Sequence, residues 1–326
     1  ELMTMLDQKG HCYLLLDEIQ EITGWEKAVN NLLEAADADI YVTGSNSKLM
    51  SSEISTYLTG RYVSIPVYTL SFREYLDFKS GSKLSERELL EEYIRFGGFP
   101  IIALAEYEAA PAYQIANGIY HTVVSRDIVN RHRINRQDLF DRVVKYIIEN
   151  IGRTFSASSI SSFLKSEHRK ISVESIYNYL RWLEQSFIIY PCKRYDIKGK
   201  SILKTQEKYY LSDISLKYSL IGYNRKMLDG AMENIVFLEL KRRGYEVFIG
   251  KNGDKEIDFI ATRRDEKLYV QVCVQLPENS DREIGNLMEI KDHYPKYVVT
   301  LNEMDAGIEN GIQIVHLKDF LLSDRW

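Results

Sequence analysis

The sequence predicts an α/β chain of several domains, and three observations predict it. Residues 1–100 alternate short apolar strands with amphipathic helices, the pattern of a parallel sheet covered by helices. Residues 151–210 read as two short helices followed by a β-hairpin, and residues 211–326 follow an α-β-β-β-α-β order that repeats neither pattern. A chain of 326 residues exceeds one ordinary core. The expected divisions are an α/β core at 1–100, a helical lid at 101–150, a helix–helix–hairpin domain at 151–210 and a second α/β domain at 211–326.

In the first division Cys12 to Asp17 is a buried strand, Trp25 to Ala36 a helix and Ile40 to Gly44 a second strand. A polar Ser45-Asn46-Ser47 turn follows, then a helix near Lys48 to Leu58 and a third strand at Arg61 to Val67. Helical periodicity runs from Ser71 to Phe96 until Gly97-Gly98-Phe99-Pro100 breaks it, which marks a boundary or hinge. From Ala103 to Asn150 the pattern is almost wholly helical, with a charged stretch at Arg126 to Arg136. Helices at Ser156 to Ser166 and Ser172 to Phe187 each open on a serine able to cap free N–H groups. Strands at Ile188 to Asp196 and Ser201 to Leu211, joined by Lys198-Gly199-Lys200, complete the order of a winged helix. The last division reads as a helix at Gly230 to Arg243, strands at Tyr245 to Gly250, Glu256 to Arg263 and Lys267 to Gln275, a helix at Arg282 to His293, and strands at Lys296 to Leu301 and Gln313 to Leu317.

Composition narrows the classes. With 45% hydrophobic and 27% charged residues and only six prolines, the chain has the make-up of a folded protein without long disordered linkers. Cys12, Cys192 and Cys273 are odd in number and follow no metal-binding spacing, which fits buried thiols in a reducing compartment. No apolar run approaches the roughly 18 residues that span a bilayer, so a cytoplasmic protein without a membrane partner is expected. The net charge of −5 conceals a basic stretch, residues 153–208, with eleven Lys/Arg against five Asp/Glu.

The chemistry begins at Leu14-Leu15-Leu16-Asp17-Glu18. Nucleotide hydrolysis needs Mg²⁺ near the β and γ phosphates and a water aligned for attack, so carboxylates must stand where a buried strand meets the edge of a sheet. On that reading Asp17 holds the Mg²⁺ shell through water and Glu18 orients and deprotonates the attacking water. The bland alternative is an apolar strand that ends in two solvated acids. A second buried strand ends in Thr43-Gly44-Ser45-Asn46-Ser47, where a polar sensor of the γ phosphate would stand.

Leu15-Leu16-Asp17-Glu18-Ile19-Gln20 with Trp25, Thr43-Gly44-Ser45, Thr59-Gly60-Arg61, Leu70-Ser71-Phe72-Arg73-Glu74-Tyr75 and Phe96-Gly97-Gly98-Phe99-Pro100 occur in that order. Glu233-Asn234-Ile235-Val236-Phe237-Leu238-Glu239-Leu240 and Glu256-Ile257-Asp258-Phe259 follow. On these stretches the chain resembles the predicted AAA-type ATPases that carry a C-terminal domain of uncharacterised function (DUF4143). The resemblance implies a RecA-like core that binds and hydrolyses ATP with Mg²⁺. Asp17 and Glu18 take the Walker B roles, and Thr43 with Ser45 or Asn46 forms the sensor. Arg61 contacts phosphate charge in the same or a neighbouring subunit, which implies a homo-oligomer, or else forms a structural ion pair. The family's Gly-rich loop ending in Gly-Lys-Thr or Gly-Lys-Ser does not occur in these 326 residues. This stretch by itself is therefore expected to bind ATP weakly or not at all.

Two further sites follow from the later divisions. The basic winged-helix stretch offers Arg181, Lys198 and Lys200 as phosphate ligands for DNA, or else it is an adaptor with Ile176, Tyr179, Leu180, Trp182 and Leu183 as core. The last division resembles the restriction-endonuclease-like fold, whose acids hold Mg²⁺ and whose lysine, two residues after an acid, positions the attacking water. Here Glu233 and Asp258 stand at acid positions, but Gln271 replaces the third acid and Cys273 the lysine. The resemblance thus implies a degenerate nuclease-like site, in which Lys255 or Lys267 could substitute for the missing lysine. The expected activity is that of a regulatory ATPase acting on DNA or a protein partner. The alternatives are a non-catalytic DNA- or protein-binding module and, last, an ATP-independent metal-dependent nuclease.

Overall fold

The first apolar run forms strand β1 (Cys12–Leu16) and the second forms β2 (Ala38–Val42), paired in parallel from Cys12 opposite Ala38 to Leu16 opposite Val42. Parallel neighbours need a crossover, and helix α1 (Trp25–Ala35) supplies it, burying Trp25 and Val29 with Ile19 against Leu16 and Ile40. The structure is a computed structural model that describes residues 10–45, 61–104, 109–277 and 283–324, apart from the side chains of residues 204–206. The expected helix at Lys48–Leu58 and the sensor candidate Asn46 lie outside the described residues. Arg61–Val67, expected as a third strand, forms no strand and has no ladder partner among the described residues, and Val63, Ile65 and Val67 are exposed. Alternating apolar residues give a chain strand character, but the strand exists only where a neighbour completes its hydrogen bonds.

The chain divides into a unit of Glu1–Val67 with Gln185–Phe187 and a unit of Tyr68–Glu184 with Ile188–Trp326. In the second unit α2 (Phe72–Phe78) and α3 (Glu86–Phe96) each begin with a capping box, Ser71 with Glu74 and Ser85 with Glu88. Gly97 and Gly98 end α3 as expected, yet the chain does not part there. Gly98 lies so close to the Leu70 carbonyl that a Cβ would meet it at 2.4 Å, and its N–H donates to the buried Asp213 carboxylate at 2.7 Å. Helix α4 (Pro100–Ala103), α5 (Ala109–Val123), a π-helical stretch at Val124–Asn130 and α6 (Gln137–Glu149) fill the expected helical region. Helices α7 (Ala157–Ser166) and α8 (Val173–Gln185) open on the hydroxyls of Ser156 and Ser172, as their sequence signals predict.

The largest departure concerns the hairpin. Strands β3 (Ile189–Asp196) and β4 (Ser201–Leu211) pair with each other, but β3 also pairs in parallel with β5 (Glu246–Asn252). The hairpin is therefore part of one eight-stranded sheet with β6 (Lys255–Arg263), β7 (Glu266–Cys273), β8 (Lys296–Thr300), β9 (Gly307–Glu309) and β10 (Ile312–His316). The strand order is β4-β3-β5-β6-β7-β8-β10-β9. The expected division at 210/211 falls inside β4. Helix α9 (Ile214–Ile221), β9 and α12 (Leu317–Leu322) are additions to the sequence expectation, and α11 (Glu283–Met288) is shorter than the helix expected at 282–293.

Helix α10 (Leu228–Arg242) lies in the core of this unit and is buried on nearly every side, through Met232, Ile235, Val236, Phe237 and Leu240. Phe237 stacks on Tyr210 of β4 at 4.5 Å and lies 6.2 Å from Phe259 of β6. Each such side chain removed from water contributes roughly 1.5–3 kcal/mol, so α10 fixes what it carries firmly against β4 and β6. No helix among the described residues is long and apolar enough to cross a membrane.

Candidate functional site

Because β1 and β2 run parallel and in register, their C-terminal ends emerge side by side. The Thr43 N–H donates to the Leu16 carbonyl at 2.9 Å and the Ile19 N–H to the Thr43 carbonyl at 3.2 Å, which extends the ladder past both strands. That extension brings the acidic pair and the polar turn together. The Thr43 hydroxyl donates to the Asp17 carboxylate and accepts from the Glu18 N–H at 3.2 Å. The Ser45 hydroxyl donates to Glu18 Oε2 at 3.2 Å, and the Gln20 amide donates to the same oxygen. Glu18 itself sits in the left-handed region at φ 48°, which turns the chain sharply off β1 and returns its carboxylate toward Ser45.

Asp17 is exposed and Glu18 half-buried. An exposed carboxylate flanked by hydroxyls offers hard oxygen donors, a set that suits a Mg²⁺ ion keeping most of its waters. Arg61 is placed differently. Its guanidinium pairs with Glu34 of α1 at 3.3 Å, with both side chains more than half exposed, so this is a surface ion pair and not one beneath the sheet.

A second group of acids lies in the other unit, and the residue at its centre is one that sequence reasoning missed. Lys208 of β4 is buried, and its ammonium lies 3.0 Å from Glu256, 3.3 Å from Glu233 and 3.8 Å from Asp258. Tyr210, two residues on and so on the same face of β4, donates its hydroxyl to Glu233 at 3.0 Å. Gly152 backs this carboxylate, where a Cβ would stand 3.1 Å from its Oε2. Burial works against the Lys208 charge, but Glu233, Asp258 and Glu256 outweigh it and hold the ammonium above its ordinary pKa. Burial raises the carboxyls of Glu233 and Asp258, with Lys208 opposing the rise.

The remaining members of the degenerate site are arranged around these acids. Gln271 accepts the Asp258 N–H at 2.7 Å and donates to Glu283 of α11 at 2.6 Å, so its amide is held at both ends. The second Asp258 oxygen accepts the Val272 N–H at 2.9 Å. Cys273 is buried, and burial together with Glu283 pushes its thiol up to about 12, so it is a neutral packing residue. Neither lysine offered as a substitute reaches the acids. Lys255 pairs with Glu289, and Lys267 lies over the rings of Tyr195, Tyr269 and Tyr294. The signal for Lys208 was present as the charged residue that shares the inward face of β4 with Tyr210, but a run of nearby cations disguised it.

Arg181, Lys198 and Lys200 are all exposed. Arg181 lies on α8, where it donates to Asn178 at 2.8 Å, and the two lysines lie on the turn between β3 and β4.

Residues 1–76 match a family described as an AAA domain, in agreement with the resemblance. Residues 87–226 match a domain of unknown function, DUF8612, where the sequence reading named DUF4143. An uncharacterised protein of Haemophilus influenzae is 42% identical over 313 residues, covering 95% of this chain and 77% of its own length. An uncharacterised protein of Methanocaldococcus jannaschii is 36% identical over 317 residues, covering 91% of this chain and 69% of its own. Among solved structures, a Walker-type ATPase of Pyrococcus abyssi aligns with a TM-score of 0.46 and 16% identity, over 67% of this chain and 65% of that one.

Proposed function

We propose a function from one premise: the chain belongs to the AAA-like family that includes its Haemophilus influenzae and Methanocaldococcus jannaschii relatives. In the complete protein it acts as a regulatory ATPase. The observation that carries this reading is the joint network of Asp17 with Thr43 and Glu18 with Ser45 at the ends of two in-register parallel strands. Bound Mg²⁺ would supply charge neutralisation at the phosphates. Asp17 would hold a water of the metal shell, with its orientation fixed by the Thr43 hydroxyl. Glu18 would accept a proton from the attacking water, and the Ser45 hydroxyl would keep that carboxylate aimed until its one proton turns to the terminal phosphate. Turnover changes how the second unit engages its partner, for which DNA is our leading candidate. The Glu233/Asp258 group serves that unit as an ion-paired framework, because Lys208 already supplies a shared cation to its acids.

The test is phosphate release from Mg-ATP by the full-length protein and by E18Q. Loss of a positioned general base costs about 10²- to 10⁴-fold in turnover. Unchanged turnover in E18Q removes Glu18 from the base role. ATP binding without any turnover in the unaltered protein would favour the non-catalytic module instead.

A further inference from the structure

The expected DNA contact combined the recognition helix with the Lys198/Lys200 turn, and the structure separates those two parts by their surroundings. The turn is tied into the sheet region. The Lys198 and Gly199 N–H groups donate to Asp196, and the Lys255 hydrogen bond, assisted by the nearby Lys198 charge, holds the Glu289 carboxyl below its ordinary pKa. An acid thus already lies within the field of the turn.

The helical side of the unit is different. The π-helical stretch buries Asp127 between Arg126, at 3.1 Å, and Arg131, at 3.7 Å, and the chain then leaves it as the basic segment Arg131–Arg136. That segment is joined to two others. The His132 ring stacks on Trp182 of α8 at 4.1 Å, with the planes 8° apart. Arg136 donates to the Lys170 carbonyl at 3.4 Å, in the turn between α7 and α8. Arg133, Arg136, Lys170 and Arg181 are exposed, and none of the four has a carboxylate partner among the described residues. Two acids of the neighbouring segments are engaged, Asp138 by Arg169 and Glu167 by Arg142.

We propose that Arg133, Arg136, Lys170 and Arg181, gathered around the Trp182–His132 stack, form a face that binds the phosphate backbone of a nucleic acid. Exposed cations from three chain segments without internal counter-charges are complementary to a polyanion, and guanidinium groups suit phosphate oxygens. No base-reading group is needed, so the face binds duplexes of different sequence alike. This inference deepens the reading above by naming the surface of the second unit that meets the partner. It does not depend on ATP turnover.

The test is fluorescence anisotropy of a labelled mixed-sequence duplex with the full-length protein. Four phosphate contacts predict about a 10²-fold loss of affinity between about 50 and 200 mM salt. The variant R133E/K170E/R181E is expected to bind at least about tenfold more weakly at low salt and to show a shallower salt dependence. The neutral variant R133Q/K170Q/R181Q should follow in the same direction if the reversed charges disturb folding. K198Q/K200Q should bind within about twofold of the unaltered protein. Absence of binding at low salt, unchanged binding by both triple variants, or a larger loss in K198Q/K200Q would overturn the proposal. So would equally effective competition by polyglutamate, which would mark a surface for acidic proteins. Duplex binding is measured without nucleotide, so failure of the ATPase reading, which shows in phosphate release, and failure of this one are distinguishable.

Discussion

Asp17 and Glu18 stand at the end of a two-stranded ladder beside the Thr43 and Ser45 hydroxyls, whereas Glu233, Glu256 and Asp258 converge on an ammonium inside an eight-stranded sheet. The first group takes two consecutive acids from the end of one strand and the second gathers acids from a helix and a strand, and the sequence suggested Asp17 and the Glu233/Asp258 pair as metal positions. The difference lies in what balances the charge. In the first group the Thr43 and Ser45 hydroxyls and the Gln20 amide hold the acids and Asp17 is exposed, so a cation from solution can reach it. The second contains its cation already, as part of the polypeptide. Carboxylates brought together by a fold therefore identify a catalytic site only after the protein's own counter-charges have been placed.

Changes in the two groups should consequently have opposite signatures. In E18Q we expect the largest effect, a fall in ATP turnover of about 10²- to 10⁴-fold, with thermal unfolding close to that of the unaltered protein. In Lys208→Met the order reverses. Three buried or half-buried carboxylates lose their shared cation, which should destabilise the second unit by about 3–5 kcal/mol in urea unfolding. A Lys208→Met protein of unaltered stability would show that the acids do not depend on the lysine. Arg61→Ala sharpens the comparison at lower amplitude. As a surface pair with Glu34 it should change stability by less than about 1 kcal/mol. A loss of turnover beyond about 10³-fold would instead assign Arg61 to the phosphates.

The smallest effect concerns His11, which precedes β1 and meets Asp37 at 2.9 Å. That hydrogen bond raises the imidazole pKa above its ordinary value. Its contribution is present below the ordinary value and is lost as pH rises through the raised one. In an NMR titration the His11 midpoint should fall toward the ordinary value in Asp37→Asn. An unchanged midpoint would show that Asp37 is not responsible.

The parts of this architecture that were legible in the sequence are those whose cause is local. Strand β1, helix α1 and strand β2 follow from an apolar run, an amphipathic period and a second run, and the Ser71, Ser85, Ser156 and Ser172 caps follow from their own side chains. The juxtaposition of Asp17–Glu18 with Thr43–Ser45 was also readable, because polar residues ending adjacent parallel strands must emerge together. The pairing of β3 with β5 was not readable, since it joins segments separated by β4, α9 and α10. Lys208 was hidden for the opposite reason. A net positive stretch suggests a solvated surface, and charge counting does not tell which face of a strand a given lysine occupies. Arg133 and Arg136 were visible as a charged stretch, but only the His132–Trp182 stack and the Arg136–Lys170 bond bring that stretch beside Lys170 and the helix that carries Arg181.

The pairing of β3 between β4 and β5 also has a consequence for the order in which the protein can be built. During synthesis the helices of residues 72–185 emerge first and can settle by short-range contacts, but one edge of β3 must wait until β5 leaves the ribosome. Until then the hairpin exposes unpaired backbone groups that could pair with another nascent chain. A gene fragment ending after β4 would leave that edge open, so the helical and sheet segments of this unit are expected to fold soundly only when they are made as one chain.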